Sequence, residues 1–399
     1  MKKIVVLGGA GAMGQIIVRD LAESTDIDSV VIADFNLDLA QKLQKEIGGV
    51  KVSAVFADLT KKDDLVNLLK GATVVINSTP YVFNVDVMNA ALQAGCNYMD
   101  LGGLFHVTKK QLELHEQFKQ HNLLAVLGMG AAPGMTNVMA AEGAHDLDTV
   151  DSVDIYVGCV DFVEVDHPLA PPYALDTILD EYTKEPMVFE EGEYRAKPAM
   201  SGEVSVDFPQ PVGTASAIYT LHSEVLTIPQ SLSKKQIKSC TFRLGLPKAF
   251  HEKLKLLVDL GFGESEAVEV QSTKVSPRKV LAKMIERKPI PTQAPDDCEV
   301  VRVDVKGTAN GASKMNRMES IIFADKKWKV SCGALDTGVP PSIVAQMIAT
   351  GAIKEHGVLA PEECVPRQHF FDELAKRNIV IKKHVLNGQD SDRLVKSGS

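Results

Sequence analysis

The chain has 399 residues, too many for one compact core and comfortable for two domains. Apolar residues make up 45% and charged residues 24%, the balance of a soluble globular protein, and no apolar run approaches the ~20 residues of a membrane span. A formal charge of −9 gives no electrostatic reason to expect nucleic acid, and six scattered cysteines without a CxxC pair argue against a zinc ribbon or disulfide framework, so the expectation is a cytoplasmic protein with reduced thiols.

Residues 1 to about 127 alternate short apolar runs with amphipathic stretches. "KKIVVLG" reads as a strand and Ala12 to Glu23 as a helix. "SVVIAD" is the next strand, and "NLDLAQKLQKEIG" a helix with Asn36 as N-cap and Gly48 as stop. "VKVSAVFAD", "KKDDLVNLLKG" and "ATVVINSTP" continue as strand, helix and strand. Helix 84–94, the strand "NYMDLG", helix 108–121 and the strand "LLAVLG" complete the series. Strands separated by helices in this way make βαβ units, so the fold class is α/β with a doubly wound parallel sheet covered on both faces.

After residue 150 the texture changes to a mixed-sheet α+β pattern. "VDSVDIYVG" and "CEVVRVDVKG…MNRMESIIFAD" look antiparallel, the latter pair joined by a turn around "ANGASK". Segment 160–172 reads as a loop over a cleft, helices are expected at 247–260 and 277–287, and "PIPTQAPDD" as a proline-rich connection. The helix "GVPPSIVAQMIATGAI" has prolines near its start and Gly351 near its end, and "RQHFFDELAKRN" is another helix. Residues beyond about 386 read as a polar, frayed tail.

Gly9, Gly11 and Gly14 spell G-x-G-x-x-G between a predicted strand and a predicted helix, with Ala12 and Met13 in the same loop. The glycines permit a tight turn, approach of a pyrophosphate to the backbone, and close helix–strand packing. Asp34 ends the second strand, where a carboxylate meets the adenosine ribose hydroxyls; its charge opposes a 2′-phosphate, and no Lys or Arg follows until Lys42. The cofactor expected is therefore NAD rather than NADP. "NSTPYVFN" (77–84) lies at the carboxyl end of the fourth strand, where Ser78, Thr79 and Pro80 can present backbone to the nicotinamide ribose. Alternatively it is only a strand-to-helix turn with Asn84 as N-cap. "MGAAPGMTN" (129–137) holds Gly130, Pro133 and Gly134 in a tight turn that opens a helix and reads as the crossing between domains; Pro133 joins the cofactor set.

The chain resembles the saccharopine dehydrogenase family through "VVLGGAGAMG", "VVINSTPYVFN", "GAAPGMTN" and "YTLHSEVLTIPQSL", in that order, with "YMDLGG", "FRLG" and "GALDTGVPPSIVAQMIATGAIKEHGVLAPEECVP" as further matches. Its length and "DLGG" are most similar to the lysine 6-dehydrogenase branch, while residues 158–172 depart from the glycine-rich strand end and proline of that branch. The resemblance implies a Rossmann domain (1–130), an inserted substrate and dimerisation domain (131–333) and a C-terminal segment (334–399) folding back on the first. It also implies NAD(P)-linked oxidation of a C–N bond in a lysine-derived amino acid, with a homodimer as the reasonable assembly and no membrane or nucleic-acid partner.

Amine oxidation needs a neutral nitrogen, although an alkylamine has a pKa of ~10.4, and then an activated water to hydrolyse the imine. His222 in "LHSEV" is the first candidate for moving these protons, against the alternative of a buried structural histidine. Glu224 orients His222, binds the substrate amine, or faces solvent at a polar strand end. Asp100 in "MDLGG" either holds an ammonium or a water, or caps the following turn; His106 lies close behind it. Tyr81 and Asn84 are candidate substrate contacts or local packing. Arg243 in "FRLG" suits a substrate carboxylate or is a surface arginine. No histidines and cysteines approach metal-ligand spacing. Within the family, glutamate-forming saccharopine dehydrogenase and a carboxynorspermidine-type dehydrogenase are the alternatives to lysine 6-dehydrogenase; a C–O or aldehyde dehydrogenase of the homoserine dehydrogenase type and a regulator that binds NAD without turnover remain as competing readings.

Overall fold

The structure, a computed structural model, describes residues 1–163, 169–171, 173–288, 293–387 and 395–396. In chain order the first elements are β1 (Lys3–Leu7), α1 (Gly14–Glu23), β2 (Ser29–Asp34), α2 (Leu37–Ile47), β3 (Val52–Phe56), α3 (Lys62–Leu69) and β4 (Val74–Asn77). Then come α4 (Asn84–Ala94), β5 (Asn97–Asp100), α5 (Leu104–Leu112), α6 (His115–Gln120), β6 (Leu124–Val126), α7 (Met135–Ala144), β7 (Thr149–Asp161), α8 (Leu175–Thr183), β8 (Met187–Glu190) and β9 (Glu193–Ala196). The middle holds β10 (Val204–Asp207), β11 (Thr214–Tyr219), α9 (Glu224–Ser231), β12 (Ser239–Gly245), α10 (Lys248–Asp259), β13 (Val268–Val270), β14 (Thr273–Val275) and α11 (Pro277–Glu286). The chain ends with β15 (Asp297–Ala309), β16 (Ala312–Phe323), α12 (Cys332–Thr350), β17 (Gly357–Leu359), α13 (Pro361–Cys364), α14 (Arg367–Ala375), β18 (Lys382–Asn387) and β19 (Val395–Lys396).

The chain divides into two compact units: Met1–Leu147 with His222–Gln236 and Ala334–Lys382, and Asp148–Leu221 with Ile237–Gly333 and Lys383–Ser399. Where the sequence alone suggested a boundary at 130, α7 and α9 both belong to the first unit. The turn 129–137 is thus internal to that unit and is not the crossing between the two.

In the first unit, seven parallel strands run in the order β17-β6-β5-β4-β1-β2-β3. Ile4–Leu7, Val30, Ile32, Ala33 and Val74–Ile76 are buried, near-continuous apolar runs that require cover on both faces. The C-terminal segment supplies the seventh strand, β17, and so folds back onto the sheet. Asn36 caps α2, its side chain accepting from Leu39 N at 3.1 Å, and Gly48 ends it. Two local expectations change. Helix 108–121 is α5 and α6, because Glu113 and Leu114 bond back three residues to Lys110 and Gln111 and close the first helix. His115 Nδ1 then lies 3.0 Å from Val358 O and 3.3 Å from Val358 N of β17, a long-range contact invisible in the local pattern. Helix α12 begins at Cys332, well before Pro340 and Pro341, which lie inside it. Burial of Val339, Ile343 and Val344 sustains the helix through prolines that remove two backbone donors.

The second unit is built on a mixed ten-stranded sheet in the order β18-β16-β15-β7-β12-β11-β10-β19, with β8 and β9 branching from β12. "VDSVDIYVG" lies in β7, antiparallel to β15 but parallel to β12. β15 and β16 form the expected hairpin, turning at Asn310-Gly311, whose φ values of 51° and 76° are the left-handed pair a tight two-residue turn requires. Helices α10 and α11 fall where expected. Within the loop expected at 160–172, residues 160–161 extend β7, while 164–168 and 172 lie outside the described residues, as do 289–292 of "PIPTQAPDD" and most of the tail beyond 387. Short of that, Lys382–Asn387 is a strand, β18, and within the tail Val395–Lys396 pairs with β10.

Candidate active site

The glycine loop leaves β1 and enters α1 at the carboxyl edge of the parallel sheet. A Cβ on Gly14 would stand 2.1 Å from Gly8 O and 2.7 Å from Gly9 Cα, so only glycine lets α1 start this close to β1. Gly11 and Ala12 are exposed, and the N–H groups of Ala12, Met13 and Gly14 have no acceptor among the described residues. These donors at a helix N-terminus are what a pyrophosphate needs. Asp34 accepts from Ala10 N at 3.0 Å and from Asn36 N at 2.9 Å, bracing the loop while its negative charge stays beside it. Ser78 Oγ donates to Leu7 O at 2.6 Å and Thr79 Oγ1 to Asn77 Oδ1 at 2.6 Å; their N–H groups go to the same two acceptors and Pro80 O accepts from Phe83 N, so this turn is held by its own hydrogen bonds and these three residues offer a ligand no free N–H. Sequence reasoning missed Phe35 and Phe56, at the ends of β2 and β3. They are 72% and 55% exposed with ring centroids 5.5 Å apart, an apolar ledge beside Asp34 suited to a flat adenine ring.

Past the carboxyl end of β6, Pro133 packs its ring against Gly102 and Gly128, and α7 begins. Helix α9 packs on α5 and α7. It brings Glu224, fully buried, to the first turn of α7, where Thr136 Oγ1 donates to Glu224 Oε1 at 3.1 Å. The other carboxylate oxygen, Oε2, lies 3.3 Å from His222 Nδ1, and His222 is itself buried. With its proton on Nδ1, the imidazole donates to this carboxylate, a contact that fixes the ring's orientation. Asn137, adjacent to Thr136, accepts from Gly134 N at 2.9 Å and donates to Thr227 Oγ1 at 3.1 Å and Glu362 Oε2 at 2.8 Å. Thr136, Asn137, Thr227 and Glu362 went unnoticed in the sequence because only the packing of α7, α9 and α13 brings them together.

Several expected site residues have other duties. Asp100 is fully buried and accepts from Gly102 N, Gly128 N, Tyr98 Oη and Gln111 Nε2 at 2.6–2.9 Å. Burial pushes its carboxyl above the ordinary range while those donors hold it down, and both oxygens are spent on the β5 and β6 turns. It is a structural carboxylate rather than a catalytic one. Asn84 is the first residue of α4, with Phe83 in the cap position. Its side chain accepts from Asn77 and donates to Gly102 O and Gln111 Oε1, so it knits the same turns and is not presented to substrate. Tyr81 sits on the short turn before α4. His106 is exposed on α5, edge-on to Phe105 at 5.3 Å. Arg243 belongs to the second unit, is buried rather than at the surface, and donates to Gly202 O, Thr241 Oγ1 and Tyr219 Oη, which commits three of its five N–H groups.

Residues 4–126 match the saccharopine dehydrogenase NADP binding domain, and residues 130–380 match the saccharopine dehydrogenase C-terminal domain. The chain is 25% identical over 388 residues to carboxyaminopropylagmatine dehydrogenase of Synechocystis sp., covering 92% of this chain and 94% of that relative. It is also 25% identical over 397 residues to carboxynorspermidine synthase of Vibrio cholerae, covering 90% and 91%. The solved apo saccharopine dehydrogenase (L-Glu forming) of Saccharomyces cerevisiae shares the fold, with a TM-score of 0.75 at 18% identity over 97% of this chain and 100% of that one. The two domain matches span nearly the whole sequence, and the loop with its open N–H groups fits a dinucleotide. The chain belongs to the saccharopine dehydrogenase family of NAD(P)-dependent oxidoreductases acting on CH–NH donors.

Proposed function

We propose that this protein makes or breaks the secondary C–N bond of a carboxylated polyamine, in the manner of the carboxynorspermidine-type enzymes. The observation that carries the reading is similarity along 90% or more of the chain to two relatives whose names both specify such an amine. The lysine 6-dehydrogenase reading, which releases ammonia from a primary amine, rests on chain length and "DLGG" alone. Asp100, the residue of that motif with chemistry to offer, is consumed by the fold. NAD is proposed over NADP because Asp34 places a negative charge beside the loop.

When bound, a nicotinamide nucleotide exchanges a hydride with the carbon of the C–N bond. The protein's own groups handle the protons. In the oxidative direction His222 Nε2 takes the proton of the substrate ammonium, which frees the nitrogen lone pair that expels hydride. Once that proton has passed to solvent, Nε2 takes a proton from the water adding to the resulting C=N and returns it to the departing nitrogen, giving a carbonyl and a free amine. Glu224 stabilises the imidazolium formed on the way, and in the reductive direction the same nitrogen returns the proton. A cytoplasmic homodimer accompanies the reading, checked by light scattering on the purified protein.

The test is product identity. Incubated with NAD and carboxynorspermidine, the protein should yield NADH together with one aldehyde and one amine by mass spectrometry. Release of ammonia from lysine, with carboxynorspermidine untouched, would replace this reading by the lysine 6-dehydrogenase one.

A further inference from the structure

At the end of α9 away from the dyad there is a cavity of about 230 Å³, wholly within the first unit. Glu362 meets α9 at Thr227 and Ser231, which lie about one and two turns beyond Glu224. Its Oε2 accepts from Asn137 at 2.8 Å and its Oε1 from Ser231 at 3.3 Å. The floor is aliphatic: Ala140, Ala144, Ile228 and Leu232.

The charged groups around this cavity are accounted for. Arg367 donates to Glu142 at 3.0 Å and meets His145 at 3.1 Å, and Lys235 donates to the carbonyls of His145 and Leu147. Glu363 accepts from Ala360 N, and its charge adds to the disfavour of a second carboxylate beside it. No ion pair reaches Glu362 among the described residues. Burial first, and Glu363 after it, push the Glu362 carboxyl up to about 7 against the hydrogen bonds that favour its ionised form. A carboxylate that is largely enclosed, opens on a cavity and lacks a cation is satisfied by a proton or by a positively charged ligand.

We propose that this cavity binds a small aliphatic amine as a second site separate from the dyad, its ammonium pairing with Glu362 and its alkyl stem lying on Ala140, Ala144, Ile228 and Leu232. Cavity size and chemistry agree with such a ligand: one anionic end, an apolar floor, and hydroxyl and amide groups of Ser231 and Asn137 beside the carboxylate. The proposal does not depend on the substrate assigned above.

Isothermal titration of the full-length protein with n-butylammonium chloride, near neutral pH in two buffers of different ionisation enthalpy, tests it. Wild type should bind in the millimolar range or tighter, releasing up to one proton per site as Glu362 ionises. Glu362→Gln should bind at least ~10-fold more weakly and without proton release. Leu232→Trp, which fills the floor, should also weaken binding, while His222→Ala should bind as wild type does. Coenzyme binding reports that each variant is folded. Equal binding by wild type and Glu362→Gln, loss of binding in His222→Ala, or no binding to wild type would each overturn the proposal.

Discussion

The two units bury charge in different ways. In the first, polar side chains gather where strands end or helices cross: half-buried Asp34 and buried Asp100 at strand termini, and buried Thr136, Asn137 and Glu224 with half-buried Glu362 at the seam of α7, α9 and α13. In the second they lie across the sheet in register. Tyr219, Arg243, Tyr156, Arg302 and Glu319 stand opposite one another on successive strands, and Thr241, Asp154, Asp304 and Arg317 form a parallel row. Arg302 pairs with Glu319 at 2.7 Å, and Arg317 with both oxygens of Asp304 at 2.7 and 2.8 Å. Arg243 stacks over Tyr219 at 4.1 Å. A buried arginine is therefore ordinary in the second unit. There, buried charge is paired across strands, whereas in the first unit it braces turns, as Asp100 does, or joins the helix seam around Glu224.

The largest test of this contrast is in the rows. Arg317→Met should cost about 3–5 kcal/mol because it strands a buried Asp304, and Arg317→Met with Asp304→Leu should recover much of it, both read by urea unfolding. Full destabilisation in the double variant would mean that the row serves something other than pairing. Next in size, Gly14→Ala should weaken NAD binding ~100-fold (about 2.7 kcal/mol) because its Cβ collides with Gly8 O; wild-type affinity by fluorescence titration would remove the loop from the nucleotide site. His222→Ala should lower kcat ~100-fold or more with little change in nucleotide affinity, and Glu224→Gln less, with the acid limb of the pH–rate profile displaced. A fall in stability without a fall in kcat would make the pair structural.

The smallest effect concerns pH. The Glu362 carboxyl is raised in the native protein from 4.5 to about 7, so its contribution to stability is fully present below about 4.5 and is lost as pH rises through 7. Glu362→Gln lacks that loss. Relative to wild type it should gain about 1–3 kcal/mol between pH ~5 and ~8, seen as a Tm difference that widens over this range. A constant difference would place the titration elsewhere.

The sheet of the first unit was readable because β1, β2 and β4 are unbroken apolar runs that period alone identifies. The loop was readable because its glycines sit between such a run and a helix. The pairing of His222 with Glu224 was readable because the two are near in sequence. What escaped depends on distant segments. His115 is fixed by Val358, and Asn137 by Thr227 and Glu362, contacts that no local pattern encodes. Asp100 misled for a related reason. A carboxylate at a strand end on the ligand side looks catalytic until Gly128, Gln111 and Tyr98 are seen to use both of its oxygens.

The most direct test of the functional account is steady-state kinetics with NAD, comparing kcat/KM for carboxynorspermidine and for lysine in wild type and His222→Ala. A clear preference for the secondary amine, lost through kcat in the variant, is the predicted result. Preference for lysine, or a His222→Ala enzyme as fast as wild type, would contradict it.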